Sequence, residues 1–262
     1  IVIIQYGQKE KIFLSSSRSI NMGHYFNPNI PKRELHWVVD FANVVSYPGT
    51  GSVIYDLNNR INNLSITGSP TFSSTGSSSN LAFSGTGQYA GKSSVAGGAL
   101  IQGPITVNVI FNPSTISGQD IIALTQGGAN ALQIGTKGSG TGNIWKFGGT
   151  DLLTYTYAGI GSVMHIAYTC DGANNSKVYV NGQLNNSGTV ATQTGTADNY
   201  SLATYNSSGA ELFNGKIYYA SIHKTVLSAN EVASMYHALK RRWGFSGIGT
   251  AVYGIGGVEA PQ

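Results

Sequence analysis

The stretch HWVVDFAN, residues 36–43, decides the fold together with a second stretch, LFNGKIYYASI, residues 212–222. Both are apolar enough to form strands, and they bracket a long run of short strands separated by Gly, Ser and Asn. Turn signals recur about every 8–12 residues, and no internal repeat is evident. This pattern predicts ten or more antiparallel strands in a sandwich, rather than alternating strands and helices.

Several hairpins can be located from their turn residues. Residues 143–147 and 152–157 flank Gly148-Gly149, and residues 163–170 meet residues 177–180 across an Asp/Gly/Asn turn. Asn181-Gly182 then predicts a further reversal of the chain, because both residues tolerate positive φ.

One helix is predicted near the end of the chain. Ser228 and Glu231 form a capping box, in which each side chain satisfies a backbone N–H that the first turn leaves unpaired. Apolar residues then recur at helical spacing at Val232, Tyr236, Leu239 and Trp243. The basic run 240–242 fits the last turn, where the helix dipole favours cations, better than it fits a nucleic-acid patch.

The composition favours an extracellular or virion protein over a cytosolic enzyme. Charged residues make up only 10% of the chain, Gly accounts for 35 residues, and the net charge is +4. Cys170 is the single cysteine, so no intrachain disulfide can form. The apolar start at residues 1–4 is too short for a signal peptide or a membrane span. We therefore expect neither a nucleic-acid nor a membrane partner.

Three regions are predicted along the chain. Residues 1–35 form an N-terminal arm, residues 36–243 the sandwich domain, and residues 244–262 a Gly-rich tail. Arm and tail need partners to become ordered, so we expect an oligomer in which both contact other subunits.

The segment from Trp37 to Tyr89 resembles the opening of concanavalin A-like (laminin G-like) jelly-roll domains in bacteriophages and large DNA viruses. The motifs that carry the resemblance are Asp40 with Asn43, Ser46 to Gly51, Tyr55-Asp56-Leu57, Ser69 to Phe72, Phe83-Ser84-Gly85, Val178 to Gly182 and Phe213 to Ile217. The resemblance implies an all-β, antiparallel β-sandwich jelly roll with one short C-terminal helix. These motifs build the fold and assign no catalytic residue.

A glycosidase on this fold would need two carboxylates that converge on one bond, commonly two or four residues apart on one strand. No two acidic residues here have that spacing, and only tertiary convergence could bring a pair together. The acids are Glu10, Glu34, Asp40, Asp56, Asp120, Asp151, Asp171, Asp198, Glu211, Glu231 and Glu259.

No cofactor is expected. Asp151 and Asp171 are the candidates for a calcium site, which some relatives carry at a rim of the sandwich, although Asp is also an ordinary turn residue. The histidines lack the spacing of a zinc site. Cys170 and His165 lie five apart on one strand and so face opposite sides, which argues against a nucleophilic pair.

Sugar binding would need an exposed aromatic platform with amide groups beside it. Trp145, Tyr155 and Tyr157 flank the Gly148-Gly149 hairpin, and Asn143 lies near them. The alternative interpretation, which we favour, is that these alternating aromatic residues pack in the core.

The leading hypothesis is a non-enzymatic structural or surface protein of a virion, such as a capsid decoration, head-fibre or tail-fibre component. Its loops could also engage host glycans. A lectin-like carbohydrate-binding adhesin is the second hypothesis, and a glycoside hydrolase is the third.

Overall fold

The computed structural model describes residues 30–243, apart from 76–77, 116, 128–129, 139–140, 147–149, 158, 174, 190–194 and 207–208. Residues 1–29 of the predicted arm and the whole predicted tail lie outside the described residues. The proposed boundaries between arm, domain and tail therefore stay predictions.

The first sheet contains the first and last strands of the part of the chain that the structure describes. Its order is β14-β13-β12-β7-β16-β5-β4, and β1 also pairs with β16. Its strands are β1 (Leu35–Asp40), β4 (Thr71–Ser73), β5 (Asn80–Ser84), β7 (Ile105–Pro113), β12 (Met164–Cys170), β13 (Asn175–Val180), β14 (Gln183–Thr189) and β16 (Asn214–His223).

The second sheet packs against the first and is also antiparallel. Its order is β11-β10-β9-β8-β15-β6-β3-β2. Its strands are β2 (Val53–Ile54), β3 (Leu64–Thr67), β6 (Tyr89–Ser93), β8 (Gln119–Gln126), β9 (Asn130–Gly138), β10 (Thr141–Lys146), β11 (Thr150–Thr156) and β15 (Asn199–Leu202). The predicted sandwich is confirmed.

Two apolar clusters hold the layers together. The larger lies between the sheets, and strands such as β7 contribute alternate residues to it, including Val107, Val109 and Phe111. The smaller lies on the outer face of the first sheet, where strand residues such as Ile110 contact the helix. Alternation along β7 therefore supplies both clusters, since successive side chains point to opposite faces.

The hairpins form where the sequence predicts them. β10 pairs with β11, and β12 pairs with β13. Asn181 and Gly182 have φ values of 51° and 79°, as a two-residue turn with both central residues at positive φ requires. The turn leads into β14, a strand with mostly exposed side chains that the apolar pattern does not reveal.

Helix α1 spans Ala229–Trp243, as the sequence predicts. The backbone N–H of Ser228 donates to the Glu231 carboxylate at 2.7 Å, and the Glu231 N–H donates to Ser228 Oγ at 3.2 Å. Arg33 also pairs with Glu231 at 2.9 Å, so the chain just before β1 is tied to the start of the helix. No helix in the described part of the chain is long and apolar enough to span a bilayer.

The other end of the helix is tied to β1. The Arg242 guanidinium donates to both carboxylate oxygens of Asp40, at 2.8 and 3.0 Å. Burial raises the pKa of Asp40, and the Arg242 charge opposes that rise. Asp40 therefore has a structural role, which agrees with its place in a motif that builds the fold.

Removing the cation from this pair should destabilise the domain. Arg242→Met leaves a buried carboxylate without its partner, and we expect a loss of about 2–4 kcal/mol in the free energy of unfolding. In the double variant Asp40→Asn/Arg242→Met no uncompensated charge remains, so part of the loss should be recovered. Urea unfolding measures both values, and an equal or larger loss in the double variant would contradict this interpretation.

His165 should make stability depend on pH. It is fully buried on β12 with its ring stacked on Tyr236 of the helix, and neither ring nitrogen has a hydrogen-bond partner among the described residues. Burial lowers its pKa to about 3 from an ordinary 6.5. The folded state thus disfavours the charged form, so the His165 contribution is complete above pH 6.5 and is lost as pH falls toward 3.

Replacing His165 with Leu or Phe should remove this contribution, which falls by about 3 kcal/mol between pH 6.5 and pH 4. The measurement is the difference in unfolding free energy between wild type and variant, taken from pH 7 to pH 4. A difference that does not change with pH would contradict the assignment.

Candidate functional site

Two of the three aromatic residues considered for an exposed platform, Tyr155 and Tyr157, lie in the core, in agreement with the favoured interpretation of the sequence. Tyr155 and Tyr157 are 1% and 6% exposed, and Asn143 is fully buried. The Tyr155 hydroxyl donates to the carbonyl oxygen of Gly135 at 2.8 Å, and its ring lies over Gly142, where a Cβ would clash with it. Leu153, Tyr155 and Tyr157 are alternate residues along β11 and just after it, so their side chains point to the same side of the sheet, into the core. The two tyrosines therefore cannot form an exposed platform.

The side chain of Trp145 lies outside the described residues. Its backbone pairs with Gln133 and Asp151 near the β10–β11 hairpin. A role for Trp145 in sugar binding therefore stays a prediction.

Asp171, one of the two calcium candidates, organises a turn. Its Oδ1 accepts hydrogen bonds from the N–H groups of Ala173 and Asn175, and its Oδ2 accepts one from the Asn175 side chain at 2.7 Å. The Asn175 side-chain bond is the main cause of a lowered Asp171 pKa. The side chain of Asp151 is outside the described residues. Among those described, no three His, Cys, Asp or Glu residues form a group that could hold a metal ion.

Cys170 and His165 lie on opposite faces of β12, as their spacing predicts. Cys170 is buried between the sheets, and its thiol donates to the carbonyl oxygen of Gln102 at 3.0 Å. His165 faces the helix. This arrangement does not support a nucleophile and base pair.

The fold brings together two carboxyl groups that are far apart in the sequence, Asp120 and Glu211. Asp120 is near the start of β8, and Glu211 is in the loop between β15 and β16. The Asp120 N–H donates to the carbonyl oxygen of Glu211 at 2.9 Å, and Asp120 forms a parallel bridge with Leu212. Both residues therefore lie at one rim of the sandwich, where β8 and β16 begin and β15 ends.

The Asp120 side chain is fully buried and incompletely paired. Its Oδ2 accepts a hydrogen bond from the Gln133 side chain at 2.9 Å, whereas its Oδ1 has no partner among the described residues. Burial raises the pKa of Asp120 well above its ordinary value, and the nearby Glu211 raises it further. The site therefore favours a protonated Asp120 behind an exposed Glu211.

The backbone around this pair is irregular. A bulge in β8 falls between Asp120 and Ile122, and bulges commonly re-aim side chains near functional sites. Ala203 and Glu211, at the two ends of the loop, have φ values of 62° and 53°, which are unusual for residues other than glycine. The Ala203 N–H donates to the carbonyl of Ile121 at 2.9 Å, which anchors the loop to β8. Such strain concentrates at functional sites.

An aromatic side chain completes the group. Tyr205 is half-buried in the same loop, and its pKa is raised by burial and then by the nearby acidic groups Glu211 and Asp120. We refer to Asp120, Gln133, Tyr205 and Glu211 as the rim site. It combines a carboxylate, an amide and a tyrosine, the groups by which protein sites orient polar ligands.

One residue of the predicted set borders the rim site. Asn143 pairs with Gly135, which pairs with Asp120, so Asn143 and Asp120 lie in one cross-strand row and face the same side of the second sheet. The sequence does not indicate the members of the rim site as a group, because Asp120 and Glu211 are far apart in the sequence and form no local motif. The available signal was Asp120 itself, a charged residue at the head of the apolar run 121–124.

Solved structures with the same fold share little sequence with this chain. The first is domain 4 of AbnA, a GH43 extracellular arabinanase from Geobacillus stearothermophilus, in complex with arabinotriose. It aligns with a TM-score of 0.60 and 16% identity, over 78% of this chain and 98% of that one. At these identities the likeness shows the fold alone.

In two further structures, the region that aligns with this chain is only a part of a longer chain. Trypanosoma rangeli sialidase in complex with sialic acid aligns with a TM-score of 0.59 and 14% identity, over 81% of this chain and 34% of that one. The binding domain of botulinum neurotoxin serotype D aligns with a TM-score of 0.59 and 12% identity, over 78% of this chain and 51% of that one.

Sequence comparison identifies the family directly. No curated protein sequence is significantly similar to the chain. The profile described as "Concanavalin A-like lectin/glucanases superfamily" matches residues 84–233, which is more than half of the sequence. The match spans strands of both sheets and the start of the helix, and the chain therefore belongs to the concanavalin A-like lectin/glucanase superfamily.

Proposed function

We propose that the chain is a non-enzymatic carbohydrate-binding module that contacts sugar through the rim site. The observation that carries this proposal is that backbone hydrogen bonds bring the exposed Glu211, the half-buried Tyr205 and the buried Asp120 together at one rim of the sandwich. The family includes lectins and glucanases by its description, so a sugar ligand is the first expectation.

Each residue of the rim site has a distinct role in this proposal. Glu211 accepts hydrogen bonds from sugar hydroxyls, and Tyr205 offers an aromatic surface with a polar end. Asp120 and Gln133 are positioning residues, because both are buried and the Gln133 side chain donates a hydrogen bond to Asp120.

The burial of Asp120 favours binding over hydrolysis. Glycosidases hold their two carboxyl groups about 5–5.5 Å apart when they retain configuration and about 6.5–9.5 Å apart when they invert it. Asp120 is fully buried, so its carboxyl group cannot approach a glycosidic bond at the surface together with Glu211.

The descriptions of two structural neighbours are consistent with a binding function. The Geobacillus arabinanase domain was solved with arabinotriose, and the neurotoxin neighbour is a binding domain. They are analogies of fold and carry no residue assignment for this chain.

We propose a virion surface as the setting of this module, as a capsid decoration, head-fibre or tail-fibre component. The support is the resemblance of residues 37–89 to phage and viral domains. Mass spectrometry of intact particles tests it: a high, symmetric copy number is expected, and absence from particles would contradict it.

Binding should depend on the exposed members of the rim site. Glu211→Gln removes a charged acceptor, worth about 1.5–3 kcal/mol for a hydrogen bond to a charged group, so we expect about 10- to 100-fold weaker sugar binding. Tyr205→Ala should weaken binding about tenfold through lost ring contact. A glycan array identifies the ligand, and isothermal titration calorimetry then gives the dissociation constants.

Matched controls lie elsewhere on the domain. Asp171→Asn makes the same change of charge at the opposite rim and keeps the oxygen that accepts the turn hydrogen bonds. Tyr55→Ala removes a partly exposed tyrosine that contacts Arg60. Trp145→Ala tests the hairpin predicted from sequence. If the controls weaken binding as much as the rim variants do, the rim site is not where sugar binds.

Asp120 should also reduce stability at neutral and alkaline pH. Its pKa is raised on folding, so its favourable contribution is present at low pH and is lost as pH rises through the folded-state value. Asp120→Asn keeps an oxygen for Gln133 and cannot ionise, so this variant should be more stable than wild type at pH 8. Urea unfolding from pH 4 to pH 9 measures the difference, and destabilisation at pH 8 would contradict the assignment.

A further inference from the structure

Helix α1 covers a face of the first sheet that is polar although it is buried. The face consists of the side chains of β12, β7 and β16 that point away from the core between the sheets, as Ala167, Ile110 and Tyr219 do. Its polar members are at most 1% exposed, and they are Thr106, Asn108, His165, Thr169, Ser221 and His223. Buried polar groups are costly unless they are paired, so the partners of these side chains decide how firmly the helix is held.

Two histidines on this face are incompletely paired. The His165 ring stacks on the Tyr236 ring of the helix, with centroids 6.1 Å apart and an interplanar angle of 14°, and neither of its nitrogens has a hydrogen-bond partner among the described residues. His223 lies near the start of the helix. Its Nδ1 is 3.1 Å from the carbonyl oxygen of Arg33, and its Nε2 has no partner in the described part of the chain. Both surroundings suit a neutral imidazole.

A charge on His165 would have no free carboxylate beside it. The elements that enclose the face are β1, β7, β12, β13, β16 and α1, and their sequences contain two acidic residues, Asp40 and Glu231. Each of these pairs with an arginine. Two further acids, the exposed Glu34 and the backbone-bonded Asp56, flank β1, which β16 and β7 separate from β12.

The other ionisable groups around His165 are neutral or cationic in acid. They are Tyr236, His237 and Lys240 on α1, Lys177 and Tyr179 on β13, and Tyr219 on β16. The Lys240 ammonium lies 5.6 Å from the centre of the Tyr236 ring, whose plane is stacked on His165. A proton on His165 therefore adds a positive charge to a buried surface that already has a cation near by.

The helix can leave this face without disrupting the sandwich. The larger cluster, between the sheets, contains none of the described residues of α1, and the strands pair without it. The helix is held by the smaller cluster, by its two ion pairs and by a hydrogen bond from Ser78 Oγ to the carbonyl oxygen of Arg242. Proteins open locally in units of this kind at a lower free energy than they unfold as a whole.

We propose that acid releases helix α1 from the first sheet while the sandwich stays folded, with His165 as the main trigger and His223 as a second one. Protonation of these rings is unfavourable only as long as the helix covers them. Release uncovers apolar side chains such as Val38, Ile110 and Tyr219. This conformational change is independent of sugar binding at the rim site.

The direction of the pH dependence follows from the two histidines. Burial lowers the pKa of His165 to about 3 from an ordinary 6.5, and burial also lowers the pKa of His223. Release restores ordinary values, so the docked state loses stability as pH falls from 6.5 toward 3.

The two paired carboxylates do not cause release. Burial raises the pKa of Asp40, so protonation of Asp40 favours the docked helix. The hydrogen bond from Arg33 holds the pKa of Glu231 at about 2, so this ion pair stays charged at pH 4.5.

The native cysteine provides an internal reference for the test. Cys170 is buried in the larger cluster, so its thiol reports opening of the sandwich. Ala238→Cys places a thiol on the buried side of the helix, and Ser234→Cys places one on its exposed side. Each variant of the full chain is labelled with dithiodipyridine from pH 7 to pH 4.5, and peptide mass spectrometry identifies the thiol that has reacted.

We expect the labelling rate at position 238, divided by that at position 234, to rise at least about 50-fold between pH 7 and pH 4.5 from the pKa shift of His165 alone. The division removes the pH dependence of the thiol chemistry itself. Cys170 should stay unreactive over the same range.

Two histidine variants in the Ala238→Cys and Ser234→Cys backgrounds identify the trigger. His165→Gln is polar and does not titrate, so the rise should fall below about tenfold, with His223 responsible for the remainder. His237→Gln makes the matched change at an exposed histidine of the same helix and should keep the full rise. If His165→Gln already exposes the thiol at pH 7, His165→Phe replaces it, because a phenyl ring can still pack on Tyr236.

Three results would overturn the proposal. The first is a rate ratio that does not change with pH. The second is labelling of Cys170 in parallel with position 238, because acid would then unfold the whole domain. The third is a full rise in a chain whose residue 165 cannot titrate, which would assign the pH dependence to another group.

Discussion

The pairing of β16 is the constraint on which the rest of the structure depends. β7 follows β16 along one side, while β5 and then β1 pair with successive parts of its other side. β16 thereby joins β1 and β5, from the early part of the described chain, to β7 in its middle. The beginning of β16 is also tied to the second sheet, because the Asn214 N–H donates to the Gln119 side chain at 3.1 Å.

This attachment positions the rim site. The loop before β16 must reach from the end of β15 in one sheet to the start of β16 in the other, and it crosses the head of β8 on the way. Glu211 lies beside Asp120 because the backbone N–H of Asp120 donates a hydrogen bond to the carbonyl oxygen of Glu211. The rim site thus lies where one loop connects the two sheets. Ala203 and Glu211, which have positive φ values, stand at the two ends of that loop.

Local signals predict the fold well and the site poorly. Asn181-Gly182 and the Ser228 capping box are contiguous in sequence, so their geometry follows from turn and helix chemistry alone. Tyr155 and Tyr157 show why aromatic alternation is ambiguous: the same period serves an exposed face or a core, and only the register of β11 decides between them. The approach of Glu211 to Asp120 depends on the β15–β16 connection and on a bulge, which no short motif encodes.

The most direct test of sugar binding at the rim site is an NMR titration of the isotope-labelled chain with the oligosaccharide that binds most tightly on an array. The account predicts that the largest amide shift changes fall at Asp120 and in residues 203–213, with small changes around the β10–β11 hairpin. Changes centred on Trp145 and that hairpin, with residues 203–213 unaffected, would contradict it.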